Sequence, residues 1–230
     1  LPQPAFGRCG RRKYFEVLVM LNADVLTFHE FVTHEPLPLS RIQAAVLEFL
    51  QGRNDAVLFG AQAVNAYVSE PRATQDVDIM STRAAEFAEE LREHLSERFH
   101  IAVRVRVIGE KGFRLFQVRR EGNRHLVDIR MAEALPRSQT IEGIEVLTPA
   151  ELIASKLISF VSRYGKDKSW TDRRDIAVLL RRFPELKEPE GVVSGLLVTQ
   201  GADEKTLSVW REIAEQEMPD EDEDDDLNYS

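Results

Sequence analysis

The stretch SEPRATQDVDIMS, residues 69–81, sets two aspartates, Asp76 and Asp78, two positions apart in a short apolar run. DVDIM has the length and composition of a strand. Side chains alternate faces along a strand, so Asp76 and Asp78 point one way and Val77 and Ile79 the other. The two carboxylates then lie about 7 Å apart at the backbone. Their oxygens can converge on a pair of metal ions held roughly 3.5–4 Å apart. Without a cation the two repel each other, which raises the cost of ionising both. Solvent-facing strands also carry such pairs, so the pair alone leaves a metal site and a polar strand face both open.

Upstream, AVLFG reads as a buried strand stopping at Gly60, with AQAVNAYV starting a helix directly after it. A helix start presents free amides to an anion, and a glycine there lets a phosphate come close to the backbone. A glycine needed only for the turn is the other reading. Downstream, HLVDIRM sets Asp128 on a strand with Val127 and Ile129 on the opposite face and Leu126 and Arg130 on its own. A third carboxylate on a neighbouring strand is what a two-metal site requires. It can bind one ion and help deprotonate an attacking hydroxyl. A solvent-facing strand aspartate is the alternative.

Around these residues SRIQ, 40–43, is a capping box expected to start a helix that Gly52 ends. Ser81 and Thr82 offer caps to a long helix with Phe87, Leu91, Leu95 and Phe99 on one stripe. IAVRVRVI, 101–108, alternates with Ile101, Val103, Val105 and Val107 on one face, a half-buried strand. FRLFQVRR and HLVDIRM flank EGN, a hairpin signal, and IEVL is a further short strand. TPAE, 148–151, is a second capping box with proline at the first helical position, opening a helix to about Arg163. TDRRDIAVLLRRF and DEKTLSVWREIAEQEM complete the helices. Five scattered histidines show no ligand spacing, which argues against zinc. Trp170 and Trp210 are read as packing residues.

Taken in order, glycine, paired aspartates and lone strand aspartate make the chain resemble the nucleotidyltransferase superfamily, related in fold to DNA polymerase β. More narrowly, LFGAQAVNAYVSEPRATQDVDIM resembles AbiEii-type nucleotidyltransferases, the toxins of type IV toxin–antitoxin pairs. That family shows an Arg-x-Thr-x-Asp-hydrophobic-Asp run, matched here by Arg72, Thr74, Asp76 and Asp78. Its later block, a helix lysine, an arginine and Asp-x-x-Asp, is matched by Lys156, Arg163, Asp172 and Asp175. Ala61 departs from the glycine or serine that follows the family's first glycine, removing a hydroxyl but not an amide. The resemblance covers about residues 40–182. It implies an α/β (α+β) fold with a mixed sheet, flanking helices and a C-terminal helical unit. It implies Asp76, Asp78 and Asp128 as ligands of Mg²⁺, with Lys156 and Asp175 also catalytic. Gly60, Ala61, Arg72, Thr74, Lys156, Arg163 and Asp172 would then surround a nucleoside triphosphate. It further implies an RNA acceptor, the 3′ end of tRNA among the candidates, and a cognate antitoxin as partner. Transfer to a small molecule or a protein, and a non-catalytic binding protein of the same fold, are the rival readings.

The bulk numbers fit that reading without requiring it. The 230 residues suffice for a core unit, 38–147, and a helical unit, 148–218. Residues 1–37 show no clean period and read as a poorly organised extension; residues 219–230 read as a disordered acidic tail. Of the net charge of −9, DEDEDDD at 220–226 carries seven negative charges, and the remainder is −2. Basic clusters at 104–130 and 166–182 are compatible with a polyanionic substrate. The one cysteine, Cys9, allows no internal disulfide and fits a reducing cytoplasm. RRKYFEVLVMLNADVLTF, 11–28, starts like a signal peptide, but Glu16, Asn22 and Asp24 interrupt it, and it reads as non-secretory, with no membrane partner.

Overall fold

Short apolar runs separated by amphipathic helices should build a sheet covered by helices, and they do. The computed structural model describes residues 37–69 and 71–217. The N-terminal extension, Cys9, the signal-like stretch and the acidic tail lie outside the described residues. Helix α1 (Leu39–Leu50) leads into β1 (Ala56–Phe59), the short helix α2 (Gly60–Asn65), β2 (Val77–Ser81) and α3 (Ala84–Phe99). Four strands and a hairpin partner follow: β3 (Val103–Ile108), β4 (Gly112–Gln117), β5 (Arg124–Met131), β6 (Ser138–Ile141) and β7 (Ile144–Leu147). After them come α4 (Pro149–Ser162), α5 (Asp167–Arg182), a 3₁₀ turn (Pro184–Lys187), α6 (Val192–Thr199) and α7 (Glu204–Glu215).

The seven strands form one mixed sheet in the order β3-β4-β5-β2-β1-β7-β6. β2 runs parallel to β5 and β1 parallel to β7, while the remaining neighbours are antiparallel. The α/β expectation with a mixed sheet therefore holds. Val77, Ile79, Val127, Ile129 and Leu115 are all buried and form the apolar face of the central strands. Helix α3 packs against this part of the sheet with Phe87, Leu91 and Leu95, all buried; Phe99, at its end, is only partly so. Helix α2 touches β2 on one side and α4 and α5 on the other, joining the sheet to the helices that follow. No helix among the described residues is long and apolar enough to cross a membrane.

The caps differ from expectation, and each has a competing partner. Helix α1 starts two residues early, with Pro38 rather than Ser40 at the cap and no side-chain hydrogen bond there. Its Ser40 is buried inside the helix, and Gln43 Nε2 instead donates to the Thr74 carbonyl at 3.0 Å. At α4 the cap position is Thr148, as expected, but the reciprocal bond is missing. The Thr148 amide already donates to the Arg137 carbonyl, and Glu151 accepts from Gln200. At α3 the cap is Arg83; the Ser81 hydroxyl accepts its amide and donates to the Asp55 carbonyl. Strand β6 and helix α6 have no counterpart in the sequence reading. SQTI carries no apolar alternation because β6 is an edge strand paired on one side alone. Helix α5 begins at Asp167, a turn before the TDRRD run. Val107 is exposed near the end of edge strand β3. Trp210 is 0 % exposed, a packing residue as read, whereas Trp170 is 72 % exposed, on the outward side of α5.

Candidate active site

Sheet register places the acidic residues before any side chain is considered. Phe59 on β1 pairs with Asp78 on β2, Asp78 with Asp128 on β5, and Asp128 with Arg114 on β4. Paired residues on adjacent strands face the same side, so these four form one row across the sheet. Asp76 lies two residues before Asp78, at the mouth of β2. Gly60 follows Phe59 at the start of α2. Together they line a cleft of about 820 Å³ whose far wall is Ser155, Lys156, Ser159 and Arg163 of the α4 end and Lys168, Thr171 and Asp172 of α5.

His125 joins the row, a placement that strand alternation does not predict. Residues three apart on a regular strand face opposite sides, so His125 should point away from Asp128. The β4–β5 register shifts between Leu115 and Phe116: Leu115 pairs with Val127 and Phe116 with His125, leaving Leu126 unmatched. This β-bulge reverses the alternation and turns His125 to the acidic face. Leu126, assigned from alternation to the Asp128 face, is buried as the extra residue of the bulge. One ring nitrogen, Nε2, lies 2.9 Å from Asp128 Oδ1, and Nδ1 lies 3.3 Å from Asp76 Oδ2. Among the described residues, Asp76, His125 and Asp128 form the group able to hold a cation, their donor atoms within 4.8 Å of one another. Asp78 is not one of the three.

The two carboxylates on β2 and β5 titrate in opposite directions. Asp78 is raised to about 6, chiefly by burial and then by the charges of Asp76 and Asp128. Burial also pushes Asp128 up, but Arg114 and His125 outweigh it and hold the group well below the usual carboxylate range. Arg114 grips both Asp128 oxygens at 2.7 Å. A raised carboxyl favours the fold while protonated. The Asp78 contribution is therefore complete below its unfolded value near 4 and is lost as pH rises through about 6. Asp78→Asn mimics the protonated form. In chelator, the melting temperature of the wild type should fall relative to Asp78→Asn between about pH 4 and pH 7. Parallel curves would show that Asp78 is not strained. The crowding of carboxylates on one face, with Asp78 reluctant to ionise, fits a site that a divalent cation completes.

The loop carrying Asp76 is fixed from both sides. Asn65, buried in α2, donates through Nδ2 to the Arg72 carbonyl at 2.8 Å and accepts the Arg72 amide at 3.1 Å. The Thr74 hydroxyl donates to the Asp76 carbonyl at 3.1 Å. The Arg72 guanidinium forms a two-point bond to Asp175 on α5, at 2.8 and 2.9 Å. Lys156 Nζ lies 2.8 Å from Asp175 and 3.3 Å from Asp172, and Arg163 lies 3.4 Å from Asp172. Arg72, Lys156, Arg163 and Asp172 thus line the cleft, while Asp175 lies behind its wall at 0 % exposure and joins Arg72 to Lys156. Thr74, Gly60 and Ala61 line the cleft as well.

The sequence matches the family described as nucleotidyl transferase AbiEii toxin, type IV TA system, over residues 42–229. The chain belongs to this family of nucleotidyltransferases. No curated protein matches it. Among solved structures, the Megavirus polyadenylate synthase is 15% identical, with a TM-score of 0.54 over 80% of this chain and 40% of that one. The chain thus spans well under half of the polyadenylate synthase. JHP933 from Helicobacter pylori is 17% identical, with a TM-score of 0.48 over 83% and 92%. ANT(2″)-Ia in complex with adenylyl-2″-tobramycin is 15% identical, with a TM-score of 0.46 over 76% and 100%. At these identities the likeness to solved structures concerns the fold alone. In this AbiEii-family chain, the Arg-x-Thr-x-Asp-x-Asp run occupies the loop and strand that line the cleft.

Proposed function

We propose that this AbiEii-family chain moves a nucleoside monophosphate from a nucleoside triphosphate to an acceptor hydroxyl, with Mg²⁺ bound at the acidic row. The observation that carries this reading is the register pairing of Asp78 with Asp128 at the floor of a cleft walled by Lys156. Asp76, Asp78 and Asp128 would hold the metal, which, when bound, neutralises charge on the phosphates and the attacking oxygen. Residues 38–147 would form the unit carrying these carboxylates, and 148–218 the helical unit supplying Lys156. The triphosphate lies between Gly60 and Ala61 on one wall and Lys156 and Arg163 on the other. Lysine serves there as a point charge and arginine as a fork for phosphate oxygens. Thr74 and Asp172 border the same space. Asp175 does not touch substrate; it holds Arg72 and Lys156 in place.

The acceptor oxygen attacks the α-phosphorus, a new P–O bond forms, the bond to the β-phosphate oxygen breaks, and pyrophosphate leaves with its electron pair. The acceptor proton must go to a carboxylate. Asp128 is a poor base while Arg114 grips it, because that pairing lowers its proton affinity. The triphosphate offers Arg114 a second anion. Once Arg114 turns to it, one of the two groups that lower Asp128 is withdrawn, and Asp128 regains part of its affinity for the proton while His125 stays beside it.

For the acceptor we favour RNA, including the 3′ end of tRNA, in the cytoplasm, with the activity checked by a cognate antitoxin. The family's toxin membership and the cleft-lining cations support this choice. The test supplies Mg²⁺, each α-labelled nucleoside triphosphate and total RNA to the wild type and to Asp78→Ala. Label is expected in RNA with the wild type and not with the variant. Label appearing instead in a small-molecule or protein fraction would overturn the RNA acceptor, and absence of label everywhere would overturn transfer itself.

A further inference from the structure

An imidazole held between two carboxylates is an unusual neighbour for magnesium. Mg²⁺ is hard, prefers oxygen donors and gives up water reluctantly, whereas imidazole suits first-row transition ions such as Fe²⁺, Ni²⁺ and Zn²⁺, and Mn²⁺, the hardest of that row, still accepts a nitrogen donor more readily than Mg²⁺ does. We propose that His125 is a nitrogen ligand of the cation held by Asp76 and Asp128, and that it biases this site toward Mn²⁺ over Mg²⁺. The inference rests on the reading of the acidic row as a metal site.

Three observations carry it. First, the spacing suits shared ligation. Two donors on adjacent corners of one ion, each about 2.1 Å from it, lie roughly 3 Å apart. The ring offers two such spacings, Nε2 to Asp128 Oδ1 at 2.9 Å and Nδ1 to Asp76 Oδ2 at 3.3 Å, of which one ion uses one. Second, the ring meets a carboxylate at each nitrogen. Whichever nitrogen takes the ion, the other keeps a carboxylate partner, the arrangement that fixes the orientation and tautomer of metal-bound histidines. Third, the imidazole reaches this face through a β-bulge at Leu126, without which it would face the apolar side. Bulges of this kind re-aim single side chains beside active sites.

The experiment measures binding rather than turnover. Full-length wild type and His125→Asn are titrated with Mn²⁺ and with Mg²⁺, and the Mn²⁺-loaded proteins are examined by pulsed electron paramagnetic resonance for coupling to ¹⁴N. The wild type is expected to show one histidine nitrogen coupled to Mn²⁺, lost in His125→Asn. Mn²⁺ affinity should drop by about tenfold or more in the variant, with Mg²⁺ affinity nearly unchanged. Melting in chelator checks that the variant is folded. Should it be unfolded, ¹⁵N-histidine labelling of the wild type, which converts the ¹⁴N signal, tests nitrogen ligation without a mutation. Mn²⁺ that binds without nitrogen coupling, or equal losses for both ions, would overturn the role of His125 and leave the metal site standing. A wild type that binds neither ion would overturn the metal site and the inference together.

Discussion

Asp175→Ala is expected to lower the free energy of unfolding by about 3 kcal/mol, the lower end of what breaking a buried ion pair costs. The aspartate is 0 % exposed and takes a two-point bond from Arg72 and a third contact from Lys156. Removing it leaves two cations without their nearest anion. Lys156 is 11 % exposed and keeps only the longer contact to Asp172 at 3.3 Å; Arg72, at 24 %, reaches water more easily. That partial relief is why the lower end of the range applies. Asp172→Ala is expected to cost less, because its contacts to Lys156 and Arg163 are 3.3 and 3.4 Å long and Arg163 is about two-fifths exposed, so it can turn to water. The pH dependence has a defined sign. Burial pushes Asp175 up, but Arg72 and Lys156 pull it below its ordinary value. Its contribution is therefore present above about pH 4 and lost as pH falls through the lowered value. Urea denaturation at neutral and acid pH reads both effects. An Asp175→Ala protein as stable as the wild type at neutral pH would show that the network is solvated in solution. Transfer should also fall in this variant, since Arg72 anchors the loop that carries Asp76.

The parts of this site that the sequence revealed are those set by strand alternation. Asp78 and Asp128 stood out because each interrupts an apolar run at a position whose neighbours are buried, and Asp76 because it lies two residues before Asp78; the register then aligned Asp78 with Asp128. What alternation conceals is any departure from it. His125 is three residues from Asp128, and only the bulge at Leu126 brings the two to one face. Charge pairing across long separations is equally hidden. The spacing of Asp172 and Asp175 predicts one helix face, but not that Arg72, 103 residues away, ends on Asp175. The capping boxes failed for a related reason. A serine or threonine with a glutamine or glutamate three residues on has the right chemistry, but in the folded chain Gln43 and Glu151 have long-range partners in Thr74 and Gln200. Strand β6 was invisible because an edge strand made of Ser138, Gln139 and Thr140 buries little and so needs no apolar period.

Gly60→Ala should disable the protein as thoroughly as loss of Asp78, and for a reason that concerns Asp78 more than phosphate. Gly60 has φ +71, in the region that favours glycine, so any side chain there costs roughly 1–2 kcal/mol. The larger obstacle is space. A Cβ built on Gly60 lies 2.0 Å from Asp78 Oδ2 and 2.7 Å from its Cγ. Either the carboxylate or the start of α2 has to move. Asp78 is the next residue along the row from Phe59, with its β2 neighbours Val77 and Ile79 locked in the core, so its side chain is the part that yields. A displacement of about 1 Å at a reacting centre costs on the order of a hundredfold in rate. We therefore expect a loss of at least that size in transfer, with a destabilisation of about 2–4 kcal/mol once the steric clash adds to the backbone strain. The double variant separates the two contributions. In an Asp78→Ala background the collision is gone, and Gly60→Ala should cost only the backbone strain. A coupling of about 1 kcal/mol or more between the two positions, read from denaturation curves of the four proteins, is the expected result. Additive costs would mean that the glycine is required by the turn alone. The six-residue length of α2 makes that outcome harder to reconcile with phosphate binding too, because so short a helix has little dipole to offer, and close approach to Asp78 is then what the missing side chain provides.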